Sequence, residues 1–109
     1  MKVAISASGK SLDDNVAELF GRCPYFIIAE IKGDKIEKTE SLKNESADKM
    51  SGAGMEAAKF LAEKSVNAVI ARNVGPRALD VLKQFDIEVH NVGGKIKEAL
   101  ENFVKKNKK

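Results

Sequence analysis

Val66-Asn67-Ala68-Val69-Ile70-Ala71, then Gly75-Pro76-Arg77-Ala78, then Ile87-Glu88-Val89 is the stretch that decides the fold. The first six residues are apolar but for Asn67, with Val66, Val69 and Ile70 β-branched, a run too short for a buried helix and suited to a strand covered on both faces. Gly75 and Pro76 mark a helix start, with glycine as cap and proline at the first position, and Ala78, Leu82 and Phe85 are its expected inner face. Ile87-Glu88-Val89 is a second short strand, broken by Gly93-Gly94. Strand, helix, strand in this spacing is a parallel crossover unit.

Working outward, Met55, Ala58, Leu61 and Ala62 predict a helix of about three turns before this unit. Ile96, Ala99, Leu100, Phe103 and Val104 form the apolar stripe of one after it. Towards the amino end the pattern is different. Val3-Ala4-Ile5 is a short buried-type strand that stops at Ser6-Ala7-Ser8-Gly9, with one helical turn expected at 14–19. Tyr25-Phe26-Ile27-Ile28-Ala29-Glu30-Ile31 is a near-continuous run of β-formers. Gly33-Asp34 turns the chain, and Lys35–Glu40 answers as a charged strand fit for a sheet edge. The expectation is an α/β, three-layer domain on a five-stranded mixed sheet. Its order would be 3-2-1-4-5, with strand 2 antiparallel and helices on the faces, as in ribonuclease H-like folds.

Composition narrows the function. The 109 residues are 43% hydrophobic and 32% charged, enough for one domain with a real core. No apolar run approaches a membrane span, and Met1-Lys2-Val3 opens straight into β-forming sequence, so a cytoplasmic chain is expected. One cysteine and one histidine exclude an intrachain disulfide and a self-contained Cys-rich or polyhistidine metal site. The net charge of +3 reports mainly Lys105, Lys106, Lys108 and Lys109; without them the count is 15 basic against 16 acidic. The expected division is therefore a domain at 1–104 and a basic flexible tail at 105–109. The body has no interleaving of basic and aromatic residues, so nucleic acid is not an expected partner.

In the expected order the chain leaves strand 1 and returns on its other side as strand 4, and ligands of open α/β sheets bind at such a reversal. Four loops converge there: 6–24, 43–54, 72–76 and 90–94. The chain's three arginines, Arg22, Arg72 and Arg77, all fall in or beside them. Arginine suits carboxylate- and phosphate-like groups, and the two helix starts at Gly54 and Pro76 favour anions again. Ser51-Gly52-Ala53-Gly54 reads either as a small-residue cradle or as a helix cap whose glycines allow close packing. Ser8, Gly21, Asn73 and Gly75 stand in the same loops. Cys23 reads as a small buried hydrophobe, or as a working thiol with its thiolate favoured by Arg22 and its backbone held extended by Pro24. His90 reads as an edge residue. It lies two strand spacings, roughly 10 Å, from strand 1, too far to share one metal ion with that loop, though a multi-metal cluster could reach both.

Catalysis finds little support. A two-metal nuclease needs carboxylates on strand 1 and its neighbours; strand 1 and strand 4 carry none, and Asp13 and Asp14 are adjacent loop residues. His90 is the only imidazole, and no nucleophile can be matched to it. A non-catalytic chain is expected.

Three stretches resemble the dinitrogenase iron–molybdenum cofactor biosynthesis family, the group of NifX, NafY and the C-terminal domain of NifB. They are Met1–Ile5 with Phe20-Gly21-Arg22-Cys23-Pro24-Tyr25-Phe26, then Ser51–Ala58, then Ala68–Val89. The resemblance spans about residues 1–104. It implies a small cytoplasmic domain that binds, carries or protects an iron–sulfur or iron–molybdenum cluster precursor, with cofactor-assembly proteins as partners. Cys23 matches a cysteine of some members, and His90 is the other side chain able to ligate metal. Leu19 stands where cofactor-binding members often carry histidine. Two other functions use the same rim: a metal-free sensor of anions or nucleotides, and a protein-interaction module.

Overall fold

The computed structural model describes residues 1–106. In chain order the elements are β1 (Lys2–Ala7), β2 (Tyr25–Lys32), β3 (Lys35–Lys43), α1 (Ala53–Glu63), β4 (Ala68–Ala71), α2 (Pro76–Gln84), β5 (Glu88–Asn91) and α3 (Ile96–Lys106). They build one five-stranded sheet in the order β3-β2-β1-β4-β5. β2 runs antiparallel to both β1 and β3, whereas β1–β4 and β4–β5 are parallel. This is the mixed sheet expected from the hairpin followed by crossovers.

The period of two along each strand sorts side chains into two cores. Ala4, Phe26, Ile28, Val69 and Ala71 face α1 and α2, meeting Ala57, Ala58, Leu61, Ala78 and Leu82. Val3, Ile5, Ile27, Ala29 and Ile70 face α3, meeting Ile96, Ala99, Leu100 and Phe103. β3 is exposed along almost its whole length. Its lysines and the irregularity in its pairing beside Glu30/Ile31 guard that edge against another strand.

Four expectations need correction. No helical turn forms at 14–19, because the backbone there is already engaged. Val16 N–H donates to Gly94, Ala17 N–H to Ser6 and Phe20 N–H to Asn73, at 2.8–3.0 Å. Phe85 does not line the inner face of α2. The helix stops at Gln84, Asp86 turns left-handed at φ 58°, and Phe85 is turned outward, with Val81 taking the inner position. β3 continues past Glu40 to Lys43, because its later residues pair with Phe26 and Tyr25. Lys105 and Lys106 are not tail: they form the last turn of α3, where cations favour the helix's negative pole. The rest of the expected tail, 107–109, lies outside the described residues. Among those described, no helix is long and apolar enough to cross a membrane.

Candidate functional site

At the carboxyl ends of β1 and β4 the chain leaves a groove of about 470 Å³. One wall is Leu19 to Arg22 from the β1–β2 loop, the second is Gly52 to Met55 at the start of α1, and the third is Asn73 and Gly75–Ala78 at the start of α2. Small residues bring these walls together. A Cβ on Gly21 would sit 2.6 Å from Gly54 N and 2.7 Å from its Cα. A Cβ on Gly54 would in turn sit 3.2 Å from that of Ala78.

The groove is electropositive for reasons of backbone and side chain together. Gly52 and Gly75 cap α1 and α2 without any side-chain hydrogen bond, so no side chain spends the N–H groups of the first turns, which in α2 begin at Arg77 because Pro76 carries none. Among the described residues no carboxylate lines the groove, and two arginines do. Arg77 stands in the first turn of α2, where there is no acid and where a cation opposes the helix dipole. That placement costs roughly 0.3–1 kcal/mol unless an anion offsets it. The Arg77 side chain makes no hydrogen bond or ion pair among the described residues.

The other candidates are distributed differently. Arg22 spends its guanidinium on the backbone, donating to the carbonyls of Ala47 (3.0 Å), Lys49 and Met50 (3.4 Å). It lines the groove and straps the loop before α1 at once. Asn73 is a clamp: its side-chain Nδ2 donates to Glu18 O at 2.8 Å, and its backbone carbonyl accepts from Phe20 N–H at 3.0 Å. Ser8 Oγ accepts from Asn15 N–H at 3.2 Å and borders a second hollow with Glu18, Arg22 and Cys23. Ser51 is exposed and outside the groove wall. Arg72 also lies outside it, its stem against Gly93, where a Cβ would meet Cδ and Nε at 3.1 Å.

Cys23 and His90 are on opposite sides of the sheet. Cys23 is buried in the α1/α2 core, 1% exposed, its thiol donating to Phe20 O at 3.1 Å. His90 pairs across from Ile70 on the α3 face, packs edge-on against Phe103 at 4.9 Å, and lies 3.3 Å from Glu88 Oε2. The structure therefore does not bring these two ligand candidates together. Among the described residues, no group of three or more His, Cys, Asp or Glu side chains could hold a metal ion.

Nor does Arg22 favour a thiolate at Cys23. Burial pushes the thiol up to about 11, against the partial pull of Ser6, Ala7 and Asn44. Fully buried Ser6 Oγ, beside it, has no bond of normal geometry. The linkage has a definite sign. With the folded pKa above the ordinary 9.0 of a free thiol, the unfolded chain loses this proton first, so stability is complete below about pH 8 and falls between pH 9 and 11. The full loss is about 2–3 kcal/mol. Cys23→Ala is expected to flatten that alkaline slope in urea-denaturation measurements, and native Cys23 is expected to resist thiol reagents at pH 7.

Asn44 was not singled out by sequence, yet it organises this wall. It is 4% exposed, and its Nδ2 donates to Gly21 O at 3.1 Å and Cys23 O at 2.9 Å, while Oδ1 accepts from Ser46 N–H at 3.1 Å. Set in Lys43-Asn44-Glu45-Ser46, it looks like any solvated turn residue. The apolar lining of Leu19, Phe20, Met55 and Pro76 was missed for a like reason, since only the closed fold shows that these residues share a wall.

A groove at a sheet reversal, fenced by loops and helix starts, is where open α/β sheets place small ligands. The chain belongs to the dinitrogenase iron-molybdenum cofactor family, whose description matches residues 1–106. It is 34% identical over 106 residues to the uncharacterised protein MJ0580 of Methanocaldococcus jannaschii, covering 95% of this chain and 90% of that one. The apo form of the orange protein from Desulfovibrio gigas superposes with a TM-score of 0.86 at 27% identity, over 96% of this chain and 88% of that one. The solution structure of a candidate NifB protein from Thermotoga, TM1290, gives 0.79 at 34% identity, over 95% and 87%. The family is one of cofactor-biosynthesis accessories, and the NifX-like architecture expected from sequence is shared with these structures.

Proposed function

We propose that this protein is a non-catalytic carrier whose cargo is an anionic metal–sulfur cluster, of iron–sulfur or iron–molybdenum type, received in the groove between the β1–β2 loop and the starts of α1 and α2. One observation carries the reading: the groove joins two helix starts without side-chain caps to Arg22 and Arg77 and admits no carboxylate. Family membership and the likeness to a protein that exists in an apo form support it. Backbone N–H groups and guanidinium donors suit sulfide-bearing anions, and the apolar lining excludes water from them. Cys23 is the nearest thiol, behind the Gly21–Arg22 wall. As a ligand it would act only after the Phe20–Cys23 turn parts, so retention is weak and transferable, as a carrier requires.

Anaerobic loading with ferrous iron and sulfide, followed by desalting and visible absorbance, tests this. Arg77→Glu is expected to cut retained cluster at least tenfold with a melting temperature no lower than the parent's, since a carboxylate suits the start of a helix, and Cys23→Ser is expected to lower retention as well. If both variants load like the parent, the carrier reading is wrong. A second reading, a metal-free anion sensor, is favoured by one observation: no thiolate or imidazole lines the groove. Phosphate-induced amide shifts at Gly54 and Arg77 without any cluster loading would favour it.

A further inference from the structure

Between the buried anchor at Asn44 and the left-handed Gly52 (φ 74°), the connection from β3 to α1 contributes little to either core. Met50 is 98% exposed, and Lys49 makes one ion pair, a long 3.8 Å contact with Glu56. Beyond local turns from Asn44 to Ala47 and from Ser46 to Lys49, what fastens the segment to the domain is Arg22. That guanidinium points its donors at three neutral carbonyls while forming part of a groove suited to anions.

We infer that Arg22 is a latch: an anion in the groove draws the guanidinium off the carbonyls of Ala47, Lys49 and Met50 and frees residues 45–51. The inference rests on the reading of the groove as an anion site. The physical reason is competition for one set of donors. A guanidinium bonded to an anion adds the attraction of opposite charges and a bidentate fit that separate neutral carbonyls do not offer. The carbonyls released are on an exposed loop and find water, so the exchange leaves no buried group unpaired. Gly52, with nothing within 4 Å of its missing Cβ, leaves room for the segment to swing. Occupancy would thus be written on the surface as a loosened strap carrying an unpacked methionine, a signal that a receiving protein can read before cargo is handed on.

Limited trypsin digestion at the Lys49–Met50 bond, followed by mass spectrometry, reads the strap directly. The ligand-free Arg22→Gln chain is expected to be cut there at least tenfold faster than the parent, with cleavage unchanged at every other site except the Arg22–Cys23 bond that the substitution removes. Adding inorganic pyrophosphate to the parent should accelerate the same cut, and should do nothing further to Arg22→Gln. Amide shifts at Gly54 and Arg77 report independently whether pyrophosphate is bound. If it binds and cleavage at Lys49 does not change, the latch is wrong and the groove reading stands. If Arg22→Gln is cut no faster than the parent, the latch is wrong whatever binds. Absence of binding by pyrophosphate and by reconstituted cluster alike overturns both.

Discussion

Gly21→Ala is expected to lower the unfolding free energy by about 1–3 kcal/mol and the melting temperature by roughly 5–20 °C. The cause is steric and local. The new methyl would lie 2.6 Å from Gly54 N, 2.7 Å from Gly54 Cα and 3.0 Å from Ala53 C. All three are backbone atoms at the start of a helix, so no flexible side chain can give way. Either the β1–β2 loop or the first turn of α1 must retreat, and both are walls of the groove. Ligand binding should therefore fall with stability. Gly52→Ala is the control. Its Cβ would meet nothing within 4 Å, but its φ of 74° is left-handed, so a cost of roughly 1–2 kcal/mol should come from backbone strain, with the groove wall left in place. Equal loss of binding in the two variants would show that close approach at Gly21 is not what shapes the site.

The contrast between those glycines marks where sequence reading reaches and where it stops. Strand order followed from short-range signals: the Gly33-Asp34 turn, the proline at the start of α2, and apolar runs too short for helices. Each acts over a few residues, and together they leave one topology. The rim location followed from that topology. What could not be read was which groups are already spent. Arg22 looked free for a ligand and in fact holds three carbonyls; Asn73 looked like a ligand contact and clamps two loops. Sequence alone gave no face for His90, because side-chain direction depends on register, and its pairing with Ile70 assigns it to the α3 side. Residues 14–19 have helix-forming composition, but long-range backbone bonds to Ser6, Asn73 and Gly94 outcompete a single helical turn. Tertiary hydrogen bonding decided each of these points except the face of His90.

The same principle makes Asn44 the side chain whose loss should matter most outside the apolar core. It is buried, and its amide satisfies the carbonyls of Gly21 and Cys23 while its oxygen holds Ser46 N–H. Asn44→Leu keeps the approximate volume and removes all three bonds. A buried acceptor left without a donor costs about 1–3 kcal/mol, and two are orphaned here, so a loss of roughly 2–5 kcal/mol is expected. Asn44→Asp should be no milder, since it sets a carboxylate oxygen against the two carbonyls in place of a donor. The released turn contains Cys23, so a second readout accompanies the first. Thiol labelling at neutral pH proceeds through opening of that turn, and each 1.4 kcal/mol lost from its closure should speed labelling about tenfold. Asn44→Leu is thus expected to label about 10²-fold faster than the parent. Ser41→Ala, which removes one exposed hydrogen bond to Lys10 O, should change neither quantity. Fast labelling without loss of stability would mean that the Phe20–Cys23 turn opens on its own, and the thiol would then be accessible to cargo without any rearrangement of the domain.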